Sequence, residues 1–140
     1  MSPYLPNEIV RPDGWPRPQG YADAVLATGR QLFISGQIGW DPVTANFASE
    51  DLAQQAAQAM RNISAILSAA GGSPQHLVRL TWFVTSRDAY VSARAAIGLA
   101  YRGIFGAHYP AMSVVEVRAL VEPQAVVEIE ATAVLPDRAP

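Results

Sequence analysis

Glu128 and Glu130 stand two residues apart in Val127-Glu128-Ile129-Glu130-Ala131-Thr132-Ala133-Val134, an apolar run that reads as a strand. At a strand's two-residue period both carboxylates take one face, while Val127, Ile129 and Ala131 take the other. A carboxylate on so apolar a strand is suited to positioning or deprotonating water; the alternative is a glutamate satisfied by backbone donors or an inter-subunit arginine. Ser35-Gly36 is a second candidate, a hydroxyl and a backbone N–H that a ligand can approach closely because glycine has no side chain. No activating base is visible near Ser35, so a serine-hydrolase mechanism does not follow. Tyr21 offers a hydroxyl or plain packing. His108-Tyr109 before Pro110 reads as a loop in which the histidine is solvated or bonded to backbone, and Trp40 and Trp82 either shape an apolar pocket or fill core.

The remaining inventory excludes more chemistry than it offers. Cysteine is absent, so thiol nucleophiles, disulfides and thiolate-held metals are out. All ten basic residues are arginine, which removes Schiff-base lysines and phosphate-loop lysines. With only His76 and His108, a zinc site is not expected, and neither metal nor cofactor is assigned. The 140 residues, 50% hydrophobic and 16% charged, suit one core. A net charge of −2 argues against a phosphate-binding surface, and nucleic acid is not an expected partner. Uncharged stretches fall far short of the roughly 20 apolar residues a membrane helix needs, so a cytoplasmic protein without membrane contact is expected.

Two helices and a set of strands must position these residues. Prolines 3, 6, 12, 16 and 18 make residues 1–20 an extended arm over a single domain at 21–140. Tyr21–Thr28 and Gln31–Gly36 read as a hairpin turning at Gly29-Arg30, and Asp41–Ala48 as a loop. Ser49 reads as the N-cap of a helix whose apolar positions run from Leu52 to Ala70 and stop at Gly71-Gly72. Leu77–Thr85 is a central strand. A second helix, capped by Ser86 and ended by Gly106, carries Tyr90, Arg94, Ile97, Tyr101 and Ile104 on one stripe. Met112–Ala119 and Ala125–Leu135 complete a ββαβαββ order. Right-handed crossovers put both helices on one face of a mixed sheet, an α+β fold, and leave the other face to be covered by further copies of the chain.

That order, with Gly20-Tyr21, LFISGQIGWD at 32–41, YPAMSVVEV at 109–117 and VEIEATAV at 127–134, resembles the Rid family, also called YjgF, whose founding activity is deamination of reactive enamines and imines. The resemblance implies a chorismate-mutase-like homotrimer with clefts between adjacent subunits. In deaminating members a tyrosine after glycine, the serine of SGQI, an arginine after Pro-Ala and the first glutamate of EIEA line the cleft; here these positions are Tyr21, Ser35, Met112 and Glu128. Met112 departs from the pattern, because a thioether cannot grip a carboxylate as a bidentate guanidinium does. The second helix is also about one turn longer than is usual in the family. The resemblance thus implies hydrolysis of an enamine or imine, catalysed by Glu128, Tyr21 and Ser35. Gly36, Met112, Ala111, Tyr109 and Trp40 would contact a small-molecule substrate whose carboxylate is absent, differently placed or gripped elsewhere. Arg118 lies six residues from Met112, roughly 20 Å at strand rise, and does not replace the missing guanidinium in the same subunit; Arg94, Arg102 or Arg118 of a neighbour could, with surface ion pairing as the more ordinary fate of each. A non-catalytic trimer binding a metabolite or a partner protein is the alternative. Ribonuclease activity, attributed to some relatives, has the weakest chemical basis in a chain without lysine.

Overall fold

The computed structural model describes residues 7–137, so Pro3, Pro6 and residues 138–140 lie outside the described part. Four strands form the main sheet: β3 (Arg30–Ile38), β8 (Val127–Leu135), β6 (Leu77–Val84) and β7 (Ala111–Glu116), in that spatial order. β8 is antiparallel to both neighbours and β6 is parallel to β7, which makes the sheet mixed. Helices α1 (Leu52–Ala69) and α2 (Arg87–Phe105) are the crossovers from β3 to β6 and from β6 to β7. They share one face of the sheet and pack against each other there.

The side-chain period decides which face is covered. Leu80, Trp82 and Val84 of β6, with Val127, Ile129, Ala131 and Ala133 of β8, are buried against Leu52, Ala56, Met60, Ile63 and Leu67 of α1. From α2, Ile97, Tyr101 and Phe105 close this core. On the opposite face, cross-strand partners form the rows Glu130–Thr81–Ser113 and Glu128–Phe83–Val115. Phe33, on the same face, is 73% exposed. Glu128, Glu130, Thr81 and Ser113 make this face mixed in character, while most of the aliphatic side chains of β6 and β8 lie on the helix side.

Three local expectations are corrected. Residues 21–28 and 31–36 do not pair with each other: β2 (Ala24–Leu26) pairs instead with β1 (Glu8–Val10) of the proline-rich arm. The chain here passes from one edge of the sheet to the other. Ala22 forms a parallel bridge to Ala111 on β7, and its N–H donates to Pro110 O at 3.0 Å, whereas Arg30 begins β3 at the far edge. Gly29 (φ 151°) makes this passage possible, because a Cβ there would stand 2.1 Å from Leu135 O. The N-cap of α1 is Asp51, whose Oδ2 accepts from Gln54 N at 3.0 Å; Ser49 sits outside the helix and accepts from Asp51 N at 2.9 Å. The expected loop at 41–48 holds a minimal ribbon, β4 (Trp40–Asp41) with β5 (Asn46–Phe47).

His76 and His108 are structural. The Nδ1 of His76 accepts from Ser73 N at 3.0 Å, and His108 Nε2 bonds Leu77 O at 2.8 Å. Burial, then the neighbouring His108, holds the pKa of His76 below its usual 6.5. The unfolded chain therefore binds the proton first: the stability that neutral His76 contributes is present above about pH 6.5 and is lost as pH falls below it. Urea midpoints measured from about pH 7.5 to pH 5 are expected to fall, with a shallower fall in His76→Asn.

Candidate functional site

Glu128 and Gly36 meet at a bulge in β3. Ile34 pairs with Ala131 and Gln37 with Ile129, so Ser35 and Gly36 together oppose Glu130. The extra residue brings the Gly36 backbone against the Glu128 side chain: a Cβ at position 36 would lie 2.2 Å from Oε1 and 2.7 Å from Cδ. Ser35 is on the solvent side, where its carbonyl accepts from Gln37 Nε2 at 3.1 Å. With Arg79, Thr81 and Glu130 it lines a shallow depression of about 400 Å³ on the uncovered face. A carboxylate, a hydroxyl and an accessible backbone are thus assembled within one short stretch of the β3–β8 pair. They can hold and deprotonate a water and offer polar contacts to a nitrogen.

The other expected residues gather at the opposite edge. Met112 pairs with buried Leu80, which sets it on the helix side of the sheet. It lines a groove of about 1130 Å³ with Tyr21, Tyr109 and residues of α2. Tyr21 is held there by the two backbone contacts of Ala22, and Tyr109 stacks on Tyr101 with ring centres 5.2 Å apart. Ala111, one residue earlier, pairs with Arg79 and lines a separate depression with Val25 and Thr132. Trp40 packs against Phe47 in the β4–β5 ribbon with ring centres 5.9 Å apart, and lines neither the groove nor the depression beside Ser35.

The candidate residues therefore form two half-sites on one chain. Gly36 on β3 and Met112 on β7 are three strand spacings apart, roughly 14 Å, and Glu128 and Met112 face opposite sides of the sheet. A small imine, far shorter than this separation, does not touch both halves of the same chain.

Comparison with known proteins adds a decisive observation, a match of residues 16–135 to the family described as endoribonuclease L-PSP. The chain belongs to this family, the Rid proteins. Among its solved relatives, a Rid-family protein from Yersinia pestis is 32% identical over 94% of this chain and 100% of that one, with a TM-score of 0.81. The E. coli protein TdcF, solved with bound serine, is 32% identical over 91% of this chain and 98% of that one, with a TM-score of 0.65. A human relative named 2-iminobutanoate/2-iminopropanoate deaminase is 34% identical over 81% of this chain and 79% of its own length. The fold of this Rid protein, two helices on one face of a mixed sheet, is that of these structures. Among its described residues, no helix is long and apolar enough to cross a membrane, and no group of three or more His, Cys, Asp or Glu is placed to hold a metal.

Residues of α2 in the groove were missed by sequence reasoning as partners of Met112 in the same chain. Arg94 and Arg102 line it together with Met112. The signal for Arg94 was the stripe Tyr90, Arg94, Ile97, Tyr101, which lines the groove beside β7; Arg102 stands next to Tyr101, off that stripe.

Proposed function

We propose that this Rid protein is a hydrolytic deaminase of enamines or imines, acting in a cleft formed where two copies of the chain meet. One copy supplies Ser35, Gly36 and Glu128; its neighbour supplies Tyr21, Tyr109 and Met112. The observation that carries this reading is the seat of the Glu128 side chain against the Gly36 backbone beside Ser35, in a family with named imine deaminases. Water held by Glu128 adds to the C=N carbon, forming the C–O bond. The proton taken by Glu128 passes to nitrogen as the C=N π pair moves there, giving a carbinolamine; Glu128 then takes the hydroxyl proton and returns it to the amine, the C–N bond breaks as C=O forms, and ammonia and a carbonyl compound leave. A C=N carbon is electrophilic enough that orientation and one proton shuttle suffice. Tyr21 and Ser35 serve as polar contacts to the nitrogen and the nascent hydroxyl. A homotrimer with the uncovered sheet faces turned inward would supply the second half of each cleft and bury exposed Phe33 and Val115.

Met112 shapes the specificity. The substrate class differs from small 2-imino acids, because nothing at position 112 grips their carboxylate. Ammonia release is to be followed from imines generated in situ, with and without a carboxylate. Met112→Arg is expected to gain activity on small 2-imino acids by at least about tenfold, through a new charge-assisted pair. Equal rates for wild type and Met112→Arg on every substrate would remove this residue from the site. Consumption of no substrate, with ligand-induced thermal stabilisation, would favour a binding protein instead.

A further inference from the structure

The groove beside Met112 carries the cation that position 112 lacks. Arg94, Gly98 and Arg102 succeed each other at four-residue intervals and so face one side of α2. Gly98 lets the Arg102 guanidinium lie close to the helix, its Nη1 standing 3.4 Å from where a Cβ would be. The Cζ of Arg94 lies 5.9 Å from the ring centre of Tyr90, which holds this arginine at the groove wall. Among the described residues, no carboxylate forms an ion pair with Arg94 or Arg102. Arg17 of the arm adds a third positive charge, and Asp23 is the acid that shares the lining.

The groove is also large and aromatic. Its roughly 1130 Å³ is far more than a small aliphatic imino acid fills. Tyr101 and Tyr109 stack nearly parallel, at 12°, and Trp15 and Tyr90 supply further rings. The Tyr101 hydroxyl donates to His108 O at 2.6 Å and its ring is buried behind Tyr109, so Tyr101 fixes the Tyr109 ring while Tyr109, Tyr90 and Trp15 line the groove.

We propose that this groove binds carboxylates bearing an aromatic side chain, with Arg94 taking the carboxylate and the rings taking the side chain. The inference rests on the deaminase reading for the reaction, where it makes the substrate an aromatic imino acid or its enamine, but not for the binding itself. Arg94 is then a binding residue that stands in for the missing arginine from a different element of the same chain.

Calorimetric binding of phenylpropanoate, phenylpropanol and propanoate to the intact oligomer tests it. Phenylpropanoate is expected to bind at least about tenfold more weakly to Arg94→Gln than to wild type, and with intermediate strength to Arg94→Lys, which keeps charge but loses the fork. Arg118→Gln, outside the groove, is expected to bind as wild type does. Unchanged affinity in Arg94→Gln, or phenylpropanol binding as tightly as phenylpropanoate, overturns the role of Arg94. Propanoate binding as tightly as phenylpropanoate overturns the aromatic class. The two readings fail separately. Arg94-dependent binding without ammonia release from the matching aromatic imine sinks the deaminase and leaves the site standing; ammonia release with a KM unaffected by Arg94→Gln does the reverse.

Discussion

Glu128→Gln is expected to lower turnover by about 10²- to 10⁴-fold, the range lost when a positioned general base is neutralised, while the fold stays intact. The amide keeps the size of the carboxylate and its lie across Gly36, so what is removed is the capacity to take a proton. Glu128 is only half-buried, and its neighbours across β6 and β3 are held by the ladder whatever its charge. An unchanged melting temperature with kcat reduced in this range is the signature of that role. Equal loss in Glu130→Gln would shift the base to its strand-mate, which shares the face and itself lines the depression beside Ser35.

Gly36→Ala is expected to act through the same carboxylate from across the bulge. The new Cβ would meet Glu128 Oε1, Cδ and Cγ, all side-chain atoms, so the carboxylate swings away while the strand stays in place. Misplacing a reacting group by about an ångström costs on the order of 10²-fold, and that is the loss anticipated in kcat. Stability is expected to change by less than about 1 kcal/mol, because no backbone atom stands in the way. Combining Gly36→Ala with Glu128→Gln should cost little more than Glu128→Gln alone, since both act on one group. Additive losses would mean that Gly36 contributes through its own backbone N–H.

The helices were legible because their periodicity is local. Leu52 through Leu67 and the Tyr90–Tyr101 stripe repeat within a turn or two; the first is buried where that repeat places it, and in the second Ile97 and Tyr101 are buried while Arg94 stays exposed. The faces of β8 followed from simple alternation of Glu128 and Glu130 with Val127, Ile129 and Ala131. Long-range placement was not legible. Thr28-Gly29-Arg30 has the composition of a hairpin turn, yet Gly29 is there for the close approach of the Leu135 carbonyl, and β2 finds its partner in the arm. Composition records a need for glycine but not which need. The bulge that joins Gly36 to Glu128 depends on a register between distant strands. Arg94 and Arg102 were looked for on a neighbouring subunit, because only the path of α2 beside β7 brings them to Met112 in their own chain.

The central claim is that one hydrolytic site is shared by two copies of the chain, and mixed oligomers test it most directly. Glu128→Gln disables one half-site, and Met112→Trp fills the other. The two variants would be made separately, then co-expressed and purified as hybrids. Ammonia release from an aromatic imine generated in situ would be compared with the spontaneous rate. Each variant alone should be inactive, and hybrid trimers should recover about one third of wild-type turnover, since one of the three clefts in a mixed trimer pairs an intact Glu128 half with an intact Met112 half. Hybrids as inactive as their parents, or wild type no faster than spontaneous hydrolysis, would contradict the account.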